Sequence, residues 1–88
     1  MKTYKLVIST PSGNLYEGEV VKISLRGAEG DLAVMANHIP FVTSVRPCVC
    51  KVEKEDSSIA ALELERGLLS VTNEKVTLLS GSARWIND

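Results

Sequence analysis

Two thiols at alternate positions, Cys48 and Cys50, are the first side chains in this sequence that could do chemistry, because in a strand they share one face and could share a metal ion. A structural zinc site takes four ligands, usually in paired spacings, and His38 is the one histidine available as a third. The set falls short, and the competing reading is that both cysteines fill the inside of a sheet as small apolar side chains. His38 could instead serve as a general base, but a nucleophile and an orienting acid would have to be brought to it. Glu53, Glu55 and Asp56 lie close together; nothing adjacent would split their pKa values as an acid–base pair requires, so they read as a charged strand end and turn. Gly27-Ala28-Glu29-Gly30-Asp31 has neither the spacing nor the lysine of a phosphate-cradling loop, and its carboxylates repel anions. The expectation is a chain without catalytic residues, metal or cofactor. A small metal-binding or redox β-domain using Cys48, Cys50 and His38 is the alternative.

These residues must be positioned by one small domain, since 88 residues leave no room for a second core. A hydrophobic fraction of 44% with 24% charged residues is that of a chain that folds. Ten basic residues against 11 acidic ones, for a net charge of −1, give no electrostatic footprint for nucleic acid. No run reaches the roughly 20 apolar residues of a membrane span, and Met1 to Ile8 lack the pattern of a secretory signal. Neighbouring cysteines at i and i+2 suit a reducing compartment better than a disulfide.

Period-2 alternation makes strands the dominant element. Tyr4, Leu6 and Ile8 oppose Lys5 and Ser9; Val21, Ile23 and Leu25 oppose Lys22, Ser24 and Arg26; Cys48, Cys50 and Val52 oppose Val49, Lys51 and Glu53. Thr72-Asn73-Glu74-Lys75 reads as a hairpin turn between Val71 and Val76. Ala60 to Arg66 contains strong helix formers, yet Leu62 and Leu64 alternate with Glu63 and Glu65 and Gly67 follows too soon, so a strand is expected there. Turn formers at short intervals place such strands in a sandwich or barrel.

The most unusual segment runs from Gly27 to Pro47: two glycines frame an acidic loop, a short apolar stretch follows, and Asn37-His38-Ile39-Pro40 makes a constrained turn. Gly27 and Gly30 are expected at positive φ, and Asn37 tolerates the left-handed region. Rigid exposed loops of this kind are where binding is commonly placed.

The run from Gly27 through Glu29-Gly30-Asp31-Leu32 and Asn37-His38-Ile39-Pro40 to Thr43 closely resembles the signature of the ATP synthase epsilon subunit. Tyr16-Glu17-Gly18-Glu19-Val20, Gly67 to Val71 and Lys75 to Leu79 resemble the hairpins around it. Ala36, Asn37 and Cys48 stand where the family usually has proline, glycine and glycine, and Cys48 would strain its turn if that site needed positive φ. The resemblance implies an all-β fold, a sandwich of about ten strands in two antiparallel sheets over residues 1–84, with a tail at 85–88. The family's C-terminal helical hairpin does not follow, so the chain is either a naturally short member or a truncated one, the former favoured because Trp85 to Asp88 offer no helix start, and no nucleotide binding is expected. The implied role is a non-catalytic rotor subunit joining the gamma subunit to the c-ring, peripheral and not inserted, on the cytoplasmic face of a bacterial inner membrane. Residue by residue, Glu29, Gly30, Asp31 and Leu32 match the c-ring contact, and Thr10, His38 and Thr43 match positions near the gamma or ring interfaces.

Overall fold

The computed structural model describes residues 2–37 and 39–87 and contains nine strands and no helix among them. In chain order these are β1 (Tyr4–Thr10), β2 (Gly13–Gly27), β3 (Gly30–Met35), β4 (Phe41–Val45), β5 (Cys48–Lys54), β6 (Ile59–Leu64), β7 (Gly67–Val71), β8 (Lys75–Ser80) and β9 (Ala83–Asn87). The 15-residue β2 organises the sheet. Its first half pairs with β1, its second half with β3 on one side and β5 on the other, and its end touches β4 at Gly27 and Val45. One layer therefore runs β2, β1, β8, β7, β4, and the other runs β3, β2, β5, β6, β9. A single hydrogen-bonded sheet folds over itself, sharing β2 between its layers.

Alternation decides what lies between them. Leu6, Ile8, Leu69, Val71, Val76 and Leu78 from the first layer meet Ile23, Val34, Val52, Leu62 and Leu64 from the second in one buried cluster. Each such side chain contributes about 1.5–3 kcal/mol by leaving water. Leu62 and Leu64 are fully buried while Glu63 and Glu65 are exposed, so β6 forms where helix propensity alone pointed the other way.

Several details depart from the sequence expectation. β1 pairs with β8 in parallel, Lys5 to Ser9 against Lys75 to Leu79. No short turn joins those two strands, so nothing forces them antiparallel. In β2 the inward set is Val20, Ile23 and Leu25, because the register against β5 slips between Val20 and Lys22 and a bulge turns Val21 aside. The boundary expected after residue 84 falls inside β9, which pairs with β6 and whose Trp85 ring meets Tyr16 edge-on at 6.1 Å.

The expected turn between Val71 and Val76 is present: Thr72 N–H donates to the Lys75 carbonyl at 3.0 Å, and Thr72 Oγ1 accepts from the N–H groups of Glu74 and Lys75. At the β5–β6 turn, the Asp56 carboxylate accepts from Ser58 N–H at 2.9 Å and from the Ser58 hydroxyl at 2.6 Å. These bonds hold its carboxyl below the usual range and close the turn.

Candidate partner-binding site

The β2–β3 hairpin is the best-defined exposed feature. Its ladder runs from Lys22 opposite Met35 to Gly27 opposite Gly30, leaving Ala28 and Glu29 as the turn. Gly30 sits at φ 123°, a conformation an L side chain would strain. Gly27 does not lie in the left-handed region, contrary to expectation. Its need for glycine is spatial: a Cβ there would stand 2.5 Å from Leu32 Cδ2 and 3.5 Å from Thr43 Oγ1.

Arg26 and Asp31 face each other across this hairpin, and Arg26 Nε donates to Asp31 Oδ1 at 3.0 Å. Both side chains are more than half exposed, so the pair is worth about 0.2–1 kcal/mol and mainly fixes the hairpin's register. From the β4–β5 corner, Arg46 N–H donates to the Arg26 carbonyl and Arg46 Nη2 donates to the Ala28 carbonyl, each at 3.0 Å. The turn is thus clamped from both sides. Its nominally acidic tip is electrically mixed: Asp31 is neutralised by Arg26, and Glu29 has no ion pair among the described residues.

Of the residues expected to make contacts, Glu29, Gly30, Asp31 and Leu32 all lie on this hairpin. Thr43 is brought to it, half-buried on β4 with its hydroxyl beside Gly27 and donating to the Ser44 carbonyl at 3.2 Å. Thr10 lies on the β1–β2 turn, where its hydroxyl donates to the Gly13 carbonyl and accepts from Ser12 N–H. It connects to the hairpin through a continuous rim: Thr10 and Pro11 border a shallow groove with Gly67 and Gly81, and Gly67 and Arg66 border the next with Arg46. His38 lies outside the described residues. Asn37 before it has φ 72°, which accounts for an asparagine where the resemblance implied glycine.

Cys50 is fully buried and Cys48 half-buried against the core cluster, as the core-filling reading expects. Burial pushes the Cys50 thiol up to about 12. Cys48 is not at positive φ, so its turn carries no strain. Among the described residues no three His, Cys, Asp or Glu side chains come together as a metal site would require. Sequence reading missed Arg26, Arg46 and Arg66. The first could have been found by counting outward from the Gly27–Gly30 turn to Asp31; the others depend on long-range pairing.

A model of the ATP synthase delta/epsilon chain β-sandwich domain matches residues 3–86. The chain belongs to this family. Among curated relatives, the ATP synthase epsilon chain of Clostridium perfringens is 33% identical over 85 residues, 97% of this chain and 64% of that one. The epsilon chain of Sulfurimonas denitrificans is 37% identical over 79 residues, 90% of this chain and 61% of that one. This delta/epsilon sandwich therefore spans less than two thirds of the relatives it matches. Its fold superimposes on a chain of the Euglena gracilis mitochondrial ATP synthase OSCP/F1/c-ring structure, with TM-score 0.89 at 21% identity over 94% of this chain and 53% of that one. For the Tetrahymena thermophila ATP synthase central stalk and c-ring, the TM-score is 0.76 at 13% identity, covering 94% of this chain and 66% of that one. No helix among the described residues is long and apolar enough to cross a membrane.

Proposed function

We propose that this sandwich is a non-catalytic rotor subunit of an F-type ATP synthase, bridging the gamma subunit and the c-ring so that proton-driven rotation is coupled to ATP synthesis. The family match across residues 3–86 carries this reading. The hairpin of Glu29, Gly30, Asp31 and Leu32 rests on polar loops of the c-ring, while Thr10 and Thr43 belong to the gamma or ring interface. His38 is assigned to the same interface by resemblance alone. The chain sits peripherally on the cytoplasmic face of a bacterial inner membrane.

The physical task is to transmit torque without shearing. Because β2 belongs to both layers, one layer cannot slide over the other without breaking a ladder, and a close-packed core yields little under load. The clamp of Arg46 on the Ala28 carbonyl extends that stiffness to the contact turn. Pulling a tagged copy from native membranes in gentle salt should recover gamma and the c subunit with it. Recovery of the chain alone would remove this reading.

A further inference from the structure

The ladder between β4 and β7 ends with Val45 opposite Gly67, and Arg46 and Arg66 are the residues just beyond it on the two strands. Both arginines are exposed and border one open groove of about 490 Å³, whose other lining residues, among them Ser44 and Pro47, carry no charge. Two like charges bordering one small groove repel each other. Among the described residues neither arginine is held in an ion pair. The ion pairs among the described residues are Lys5 with Glu17, Arg26 with Asp31 and Arg84 with Glu63. Glu65, next to Arg66 in sequence, does not border the groove. Arg46 gives one N–H to the Ala28 carbonyl, which fixes its fork at the rim and leaves its other donors to the outside.

We propose that the Arg46–Arg66 groove is a second contact site on this rim and receives Asp or Glu side chains from a loop of the partner protein on which the rim sits. The proposal rests on the reading of the chain as a rotor subunit. It gives the rim two opposite charges to present: the carboxylate of Glu29 at the hairpin tip and the two guanidiniums beside it. Such a pattern fixes the orientation of the docked surface, because a partner turned end for end would bring like charges together. A polypeptide suits the groove better than a free anion, since across Gly67 it continues into an apolar one bordered by Pro11, Leu68 and Leu79. A loop with adjoining acidic and apolar side chains fills both. A lipid headgroup supplies the charge but keeps its chains in the bilayer.

The test uses membrane vesicles prepared from cells that lack this chain, to which the full chain is added and its sedimentation with the vesicles measured. Arg46→Glu and Arg66→Glu should each weaken binding about tenfold, while Lys75→Glu, at the opposite end of β8, should leave it unchanged. Arg66→Glu should also raise the melting temperature of the isolated chain, because it turns a repelling pair into an attracting one and leaves the Arg46 bond to the Ala28 carbonyl in place. That rise separates lost contact from lost folding. If the unaltered chain does not bind, the rotor reading fails and takes the groove assignment with it. If it binds and both reversals bind equally well, the groove assignment alone is overturned. Equal binding to protein-free vesicles of the same lipids, abolished by Arg66→Glu, would make the occupant a lipid phosphate and would also overturn it.

Discussion

Replacing Gly67 by alanine should be among the most damaging single-methyl changes available in this chain. Gly67 pairs with Val45 on one side and Ser80 on the other, at the point where β4, β7 and β8 meet the rim. A Cβ there would overlap the carbonyl oxygen of Leu79 and stand 3.0 Å from both the Leu79 carbonyl carbon and the Ser80 Cα. These are backbone atoms of a paired strand, so relief requires β7 and β8 to separate. Overpacking of this kind costs about 1–3 kcal/mol. Loss of one or two ladder bonds, or of the adjoining bond from Gly81 N–H to the Arg66 carbonyl, adds about 1 kcal/mol each. Alanine returns about 0.4–1 kcal/mol by restricting the unfolded chain. The net is a destabilisation of about 3 kcal/mol, which for a domain of this size lowers the melting temperature by about 12–24 °C. Thermal unfolding followed by circular dichroism reads this directly, with Gly81→Ala as the control, since a Cβ there meets nothing closer than 4.0 Å. A Gly67→Ala melting temperature within 3 °C of the control would refute the packing argument.

Other perturbations separate backbone, burial and titration effects. Gly30→Ala, which forces a side chain onto φ 123° in open space, should cost about 1–3 kcal/mol in urea unfolding. Gly27→Ala should cost less than that, because the obstructing atom is the movable end of Leu32. At pH 8, a maleimide should label Cys48 quickly and Cys50 only after unfolding, measurable by mass spectrometry; equal rates would contradict the burial of Cys50. The Cys50 thiol is raised from 9.0 to about 12, so its contribution to stability is intact below about pH 9. Above that the unfolded chain ionises first, and stability declines until the folded thiol ionises in turn. Cys50→Ala should flatten part of that decline in urea midpoints taken between pH 9 and 11. The buried Tyr4 hydroxyl, also raised by burial, adds its own loss at the alkaline end.

The core was legible because the alternation that buries Leu6, Ile8, Cys50, Val52, Leu62 and Leu64 is written locally, residue by residue. The Val21 bulge was not, because it depends on which residues of β5 happen to oppose β2. The parallel pairing of β1 and β8 is likewise a long-range choice. In the site, glycines around Glu29 announced a turn, yet their physical roles differ: Gly30 supplies a dihedral angle and Gly27 supplies room. An acidic loop read along the sequence became an electrically mixed one only when pairing set Asp31 against Arg26 and brought Arg46 to the Ala28 carbonyl. Register between distant strands decides charge balance here, and local sequence does not encode it.

The most direct measurement of the central claim is ATP synthesis driven by an imposed proton gradient in vesicles from cells lacking the chain, before and after the purified chain is added back. Coupling through a rigid bridge predicts that synthesis rises on addition and that the added chain is recovered bound to gamma and the c-ring. A chain that binds both without restoring synthesis, or synthesis that is already full without it, would contradict the account.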